Sequence, residues 1–443
     1  MIRVFSRGIR RIPHLATFLG EPVTWGSGTP EAERAVAGWG LRPSARRAID
    51  YAERNGLPYL ALEDGFLRSV FPGPTDPPLS LCVDDLGIYY DASRPSRLER
   101  LIATPLSEQQ SARARALIEA WRSGRVSKYN HQREYEGDLP RPYVLVIDQT
   151  QGDASITHGL TTTRLPRRSG LQTAIQTFHR MLHSALENHP DCTIILKVHP
   201  DVIAKRKRGH FDLNAVRSLS RVKVLADHAH PARLLEEADA VYTVTSQMGF
   251  EALLWNRPVR TFGMPFYAGW GLTEDTVPAP ERRGQATLEK LAYAALIAYP
   301  RYVHPETGER CDAEDVLAHL ALQRRMRQRL PETVYAAGFS PYKRPLVRRF
   351  CGGSEVRFVR SPEAAPAEPP LLVWGTRPVP DHPRVIRLED GFLRSVGLGA
   401  DLIRPISWVL DDQGIHYDAT RPSTLEHIRQ TTRFDGALLD RAR

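Results

Sequence analysis

Residues 143–155 read YVLVIDQTQGDAS. Five consecutive apolar residues that run into a polar loop with a single glycine predict a strand buried on both faces, of the kind found in parallel sheets. A helical pattern follows from about Leu171 to Glu187. The same kind of strand recurs as TIILKVHP (193–200), VKVLA (222–226), AVYTVTS (240–246) and PVRTFG (258–263), with the apolar helix GFEALLWN (249–256) between the last two. Upstream lies a second set of strands, RVFS (3–6), VTWG (23–26), PYLALEDG (58–65) and LSLCVD (79–84), separated by helical stretches. Strands alternating with helices predict an α/β chain built on parallel sheets. Two Rossmann-like halves joined near Glu136 to Arg141 predict two lobes with a cleft between them. The helical segment 285–330 is expected to pack back across both.

Internal repetition sets the larger organisation. Residues 63–70, EDGFLRSV, return unchanged at 389–396, and DDLGIYYDASRPSRLE (84–99) returns as DDQGIHYDATRPSTLE (411–426). Trp39-Gly40 is matched by Trp374-Gly375. The chain therefore reads as a first lobe over 1–135, a second lobe with crossing helices over 136–330, and a partial repeat of the first lobe over 335–443. The last residues of the repeat align near Arg115, so segment 116–330 has no second counterpart in these 443 residues. The joint falls near Pro331 to Arg344, and the stretch SPEAAPAEPP (361–370) reads as a loop.

Composition narrows the function classes. The 443 residues suffice for about three globular units. No apolar run approaches the roughly 20 residues of a membrane-spanning helix. Four widely spaced cysteines without a CxxC pair argue against zinc and disulfides and fit a reducing cytoplasm. The formal charge of +9 suits nucleic acid, an anionic membrane or acidic small substrates. Neither zinc-finger spacing nor an RNP-type aromatic pattern supports nucleic acid. The stretch MIRVFSRGIRRIPHLATFLG (1–20) is Arg-rich and holds no acid, as in a transit peptide. A similar FSPYKRPLVRRFCGG recurs from Phe339, so a structural element is expected at both places.

Ligands of open α/β sheets bind beyond the carboxyl ends of strands. Four polar loops lie at such ends: Gln149 to Ser155, His199-Pro200-Asp201, Thr245-Ser246-Gln247 and Glu63-Asp64-Gly65. Thr245 and Ser246 precede an apolar helix, so they fit either a phosphate held by free N–H groups or ordinary capping. His199 before proline sits at a strand tip, as a ligand or as a structural histidine, and Lys197 shares its face. Asp153 lies between small neighbours and fits a nucleophile or base; it equally fits a turn or a helix cap. Asp148 reads as structural. Glu63 and Asp64 are adjacent in extended chain, so only one faces the site.

Taken together, EDGFLRS, the segment around Gly152-Asp153, LKVHPD, TSQMGFEAL, PFYAGWGLT and the second EDGFLRS resemble the KpsC family, bacterial capsule-export glycosyltransferases that transfer β-linked Kdo (3-deoxy-D-manno-octulosonic acid). The resemblance implies the two-lobed GT-B fold, CMP-β-Kdo as donor and no cofactor or metal. It implies a Kdo oligosaccharide on a phosphatidylglycerol-type lipid as acceptor, and retention at the anomeric carbon by double displacement. Asp153 would be the nucleophile. His199 and Pro200 would hold the CMP phosphate, with Gln149, Lys197, Thr245, Ser246, Gln247, Gly249 and Glu251 on the donor side. Glu63 would act as acid/base or bind acceptor, beside Asp64, Arg68 and Ser69. A cytoplasmic protein, peripheral on the inner membrane and working with the capsule export machinery, is implied, with no nucleic-acid partner. Family members carry two complete modules, which puts any activity of 335–443 in doubt. The rival readings are a GT-B transferase for another CMP- or UDP-sugar, since fold does not fix substrate, and an inactive capsule-assembly subunit. Intact Asp153, His199 and Ser246 argue against the second.

Overall fold

The computed structural model describes residues 1–26, 32–73, 76–161, 167–379, 382–397 and 402–443. It divides into a unit of residues 1–324 and a unit of residues 325–443. In the first, strands β1 (Ile2–Val4), β2 (Val23–Trp25), β3 (Ala35–Trp39), β4 (Tyr59–Asp64) and β5 (Ser80–Asp84) build one sheet. Strands β6 (Tyr143–Ile147), β7 (Thr193–Lys197), β8 (Val222–Leu225), β9 (Ala240–Thr243), β10 (Val259–Thr261) and β11 (Glu274–Asp275) build another, ordered β11-β10-β9-β6-β7-β8 and parallel throughout. Central β6 explains itself. Val144 and Val146 enter the apolar core on one face, and Tyr143, Leu145 and Ile147 enter the core on the other. Helices cover both faces, as an unbroken apolar strand requires. The molecule is α/β with the two-lobed GT-B arrangement.

One expectation is corrected. Segment 285–330 is not helical throughout: after the helical run Leu288–Ala298 come β12 (Pro300–Val303) and β13 (Arg310–Cys311), and only then helix Ala313–Gln328. β12 pairs antiparallel with β5, giving the first sheet the order β13-β12-β5-β4-β3-β1-β2. Pro300 cannot continue a helix, and the otherwise open edge of β5 supplies partners for its backbone. Strand β3, whose short AVAGW sequence carries little alternation, also escaped the sequence reading.

The long repeat 84–99 is a turn fastened to a helix start. Asp84 Oδ1 accepts from the N–H groups of Leu86 and Gly87 at 2.9 and 3.0 Å and from that of Arg97 at 3.2 Å. Ser96 and Glu99 then close a reciprocal cap on helix Arg97–Ala103. In the second unit Asp411, Ser423 and Glu426 repeat the device. In the first unit Glu99 does more: its carboxylate pairs with Arg282 at 2.8 Å and with fully buried Arg283 at 2.7 Å, so the cap also ties the two lobes together.

The second unit is a five-stranded sheet ordered β15-β14-β16-β17-β18, from β14 (Thr333–Ala337), β15 (Glu355–Val359), β16 (Leu371–Trp374), β17 (Val385–Asp390) and β18 (Trp408–Asp411). It reproduces the order of β5-β4-β3-β1-β2 read from the other end. The identical octapeptides meet different fates. Phe66 is fully buried against Phe266, Tyr89 and Phe250, at ring separations of 4.5, 4.8 and 5.9 Å, the phenylalanines at 250 and 266 coming from the second lobe. Phe392 is 74% exposed and Leu393 82%. The same residue therefore contributes unequally. Phe66→Ala is expected to cost about 3–5 kcal/mol and Phe392→Ala about 0.5 kcal/mol or less. Denaturant unfolding of the two variants measures both, and equal costs would contradict the assignment of Phe66 as the lobe-to-lobe plug.

Candidate active site

The carboxyl ends of β4, β6, β7 and β9 open on one cleft of ≈ 2540 Å³ within the first unit. Its walls bring together Glu63 and Asp64 from the first lobe with Gln149, Asp153, Lys197, His199, Thr245, Ser246, Gln247 and Glu251 from the second. Both Glu63 and Asp64 line it, not one as the extended chain predicts, since they stand at the end of β4 where it leaves the sheet. Arg68, Ser69 and Gly249 are not among the lining residues.

Asp153 is reached by a tight turn in which Gly152 takes φ +85°, a conformation that strains any residue bearing a Cβ. Its carboxylate caps the short helix Ala154–Gly159: Oδ1 accepts from Ser155 N–H and from Ser155 Oγ, each at 2.9 Å. Ser155 Oγ lies 3.0 Å from Thr245 Oγ1, and the Gln149 side chain bridges both, donating from Nε2 to Thr245 Oγ1 at 3.1 Å and accepting the Thr245 N–H at 3.0 Å. The capping geometry foreseen for Asp153 is thus present, and it orients the carboxylate through a network joining the ends of β6 and β9. Asp148 also borders the cleft, with its side chain buried and paired to His210 at 3.0 Å.

At the end of β7, the Asp201 N–H donates to His199 Nδ1 at 3.1 Å, which leaves the ring proton on Nε2. Partial burial lowers the pKa of His199, with Asp201 opposing. The half-exposed ring is therefore a neutral Nε2–H donor at pH 7. Pro200 opens the short helix Pro200–Ile203. Lys197 is nearly buried and donates from Nζ to the Asp227 carbonyl at 2.8 Å; burial lowers its pKa to about 8, so it keeps its charge at neutral pH. Ser246 caps helix Gln247–Leu254 through Met248 N–H. The start of that helix carries the positive end of its dipole into the cleft. Gly249 serves packing: a Cβ there would meet Tyr267 Oη at 2.2 Å.

On the facing wall, burial raises the pKa of Glu63, with Lys128 and Arg42 pulling it down. Asp64 is ion-paired with Arg68 at 2.8 Å. The rest of the Arg68 guanidinium is spent on the carbonyls of Phe71, Gly73 and Asp76 and on Ser69 Oγ, so Arg68 and Ser69 shape the loop behind Asp64. The sequence reading missed Lys128. Burial works against its charge, yet Tyr129, Asp64, Glu63 and Asp153 together hold its pKa above the ordinary value. It lies in a motif-free stretch, and only the topology brings it in: its carbonyl accepts from the N–H groups of Arg68 and Ser69, and its N–H points at Glu251 Oε1 at 3.4 Å.

Comparison with known proteins decides the family. The model for capsule polysaccharide biosynthesis proteins matches residues 34–138, 112–302 and 381–435. The chain belongs to this family. It is a KpsC-type protein: it is 43% identical to the β-Kdo 2,4 transferase of Thermosulfurimonas dismutans KpsC, with a TM-score of 0.65 over 72% of this chain and 97% of that structure. The β-Kdo 2,7 transferase of the same KpsC is 27% identical, with a TM-score of 0.54 over 73% of this chain and 99% of that one. The capsule polysaccharide modification protein LipA of Neisseria meningitidis serogroup A is 40% identical over 97% of this chain. The chain spans 63% of that relative's length.

Glu251 gives this KpsC-type chain a pH signature. Ser127 Oγ, Gln247 Nε2 and the Lys128 N–H all approach its Oε1, while Oε2 is buried without a partner among the described residues. Burial, only partly offset by these donors, raises its pKa to about 7. An unfolded glutamate ionises near 4.3, so between about pH 4.5 and 7 the folded state holds a proton that the unfolded state has lost. Stability should fall as pH rises through that window, by on the order of 3 kcal/mol for this group. Glu251→Gln keeps the neutral form and should flatten the slope. Parallel slopes for the two proteins in denaturant titrations would contradict the shift.

Proposed function

We propose that residues 1–324 form one transfer centre that moves β-Kdo from CMP-β-Kdo to a Kdo-terminated glycolipid, with retention. The observation that carries this reading is Asp153, fixed by the Ser155–Thr245–Gln149 network and facing Glu63 and Lys128 across a single cleft. The similarity to two Kdo transferases supports the sugar.

In the first step an Asp153 carboxylate oxygen attacks the anomeric carbon of Kdo, the bond from that carbon to the phosphate oxygen breaks, and CMP departs with the electron pair. The His199 Nε2–H, the Lys197 ammonium and the N–H groups opening helix Gln247–Leu254 stabilise the developing phosphate charge. In the second step an acceptor hydroxyl loses its proton to Glu63 and attacks the same carbon, and Asp153 leaves as carboxylate. Two inversions give net retention, by the logic of retaining glycosidases. A carboxyl whose pKa is raised by burial is a better base than an exposed one, which suits Glu63. Lys128 offers a counter-charge to the Kdo carboxylate. Asp64 borders the acceptor side, with Arg68 and Ser69 supporting its loop. Peripheral association with the cytoplasmic face of the inner membrane and with capsule export machinery belongs to the same proposal.

Asp153→Ala should lower transfer by at least about 10³-fold, since losing a nucleophile costs several kcal/mol of barrier. It should leave CMP binding near wild type. Transfer within about tenfold of wild type, measured with CMP-Kdo and a synthetic Kdo acceptor, would exclude the role. His199→Ala should weaken CMP binding by about tenfold, the worth of one hydrogen bond to a charged group. Wild-type CMP affinity should itself decline above about pH 8, where Lys197 loses its proton. Calorimetric titration across that range checks both, and an unchanged affinity in either case would assign that residue to structure.

A further inference from the structure

The stretch WGLRP (39–43), which returns as WGTRP (374–378), has no part in the transfer chemistry above, yet it stands at the cleft. β3 ends at Trp39, and Gly40 turns the chain with φ +49°, so close to Tyr90 that a Cβ would meet its Oη at 2.0 Å. Tyr90 Oη accepts the Leu41 N–H at 2.8 Å, and Tyr59 Oη donates to the Gly40 carbonyl at 2.6 Å. Leu41 packs against the cluster of Ala61, Ile88 and Tyr90 that also receives Ala154, the neighbour of Asp153. A loop fastened in this way fixes the root of Arg42 relative to the nucleophile loop.

Arg42 lines the cleft with its side chain 55% exposed, and its Nη2 stands 3.9 Å from Oε1 of buried Glu63. Arg46 and Arg94 line the same cleft and are exposed. Among the described residues no carboxylate pairs with Arg46 or Arg94, and none but Glu63 pairs with Arg42. Nearby acids are committed or set back. Asp85 pairs with Arg97 at 2.5 Å, and Asp91 accepts the Ser93 N–H at 3.0 Å. Asp50 and Glu53 lie one and two turns further along helix Arg46–Arg54. Arg68, the arginine expected to bind acceptor, is consumed by its own loop. Two cations therefore act on Glu63, Lys128 and Arg42, and of these Lys128 is also held by Asp153.

We propose that Arg42 is a specificity-determining residue for the acceptor: its guanidinium receives the carboxylate of the terminal acceptor sugar and so presents a hydroxyl of that sugar to Glu63. Two acidic sugars meet in the transfer, and each needs its own counter-charge. Lys128, coupled to Asp153, suits the sugar being transferred. Arg42, beside Glu63 and open to solvent, suits the incoming one. A planar guanidinium fork orients a carboxylate, which a point charge does not. Arg46 and Arg94 extend the basic wall for further acidic residues of an oligosaccharide. The choice of acceptor as ligand rests on the transfer reading above; the preference for a carboxylate does not.

The test is binding of a synthetic methyl β-Kdo glycoside to the full chain, followed by NMR without donor, its free carboxylate compared with the neutral carboxamide. Wild type should prefer the carboxylate by about tenfold or more, the worth of a hydrogen bond between charged groups. Arg42→Gln should abolish that preference while leaving carboxamide and CMP affinities near wild type. Arg42→Lys should fall between, since it keeps the charge and loses the fork. Arg100→Gln, at an exposed position outside the cleft, should behave as wild type. An Arg42→Gln protein that keeps the carboxylate preference would overturn the proposal, as would a wild type that binds neither glycoside. Weakened CMP-Kdo binding with the preference intact would hand Arg42 to the donor sugar and also overturn it. So would a change confined to the pH dependence of transfer, which would reduce Arg42 to tuning Glu63. A preference that depends on Arg42 in a protein that transfers nothing from CMP-Kdo would sink the transfer reading and leave this one. Normal transfer without the preference does the reverse.

Discussion

Burial of Phe66 between the lobes is the contact on which the rest of the first unit depends. Its octapeptide ends β4, so closing the second lobe over it fixes where Glu63 and Asp64 stand relative to the loops of β6, β7 and β9. The Phe266 and Phe250 rings make the seam apolar, and Gln247 fastens its rim by donating to the Phe66 carbonyl at 2.8 Å. Glu251, from the same helix, holds Ser127 and the Lys128 N–H. One helix of the second lobe therefore presents its N-terminus to the cleft while its next turn grips the first lobe. In the second unit Phe392, Leu393 and Val396 of the same eight residues are exposed.

The seam explains the electrostatics of the cleft. Glu63 and Glu251 are both buried deeply enough for their carboxyls to be raised, and Lys128 sits between Glu63, Asp64 and Asp153 with its charge retained. The transfer proposed above, of an acidic sugar from an acidic nucleotide, needs an ionised carboxylate beside enough positive charge to admit the substrate. Lys128 on one side, with Lys197 and a helix start on the other, meets that demand with fixed charges in a partly desolvated cleft.

Much of this was legible in the sequence where the signal was local. Unbroken apolar runs announced β6, β7 and β9, and strand-end loops announced Asp153, His199 and Ser246, because parallel sheets place loops by rule. Signals that depend on tertiary partners were not legible. Lys128 acquires meaning only when the lobes close. The Arg68 guanidinium resembles an acceptor ligand until the carbonyls of its own loop consume it, and Gly249 resembles a phosphate-loop glycine until Tyr267 is seen against it. Strands β12 and β13 hid in a segment of helical composition, where an open sheet edge and Pro300 overrode local preference.

The most direct test of the central claim is mass spectrometry of the intact protein, quenched milliseconds to seconds after mixing with CMP-Kdo in the absence of acceptor. A covalent adduct of one Kdo residue, mapped by peptide fragmentation to Asp153 and discharged on adding acceptor, is the predicted result. Consumption of CMP-Kdo with no adduct at any time, or an adduct on a residue other than Asp153, would contradict the account.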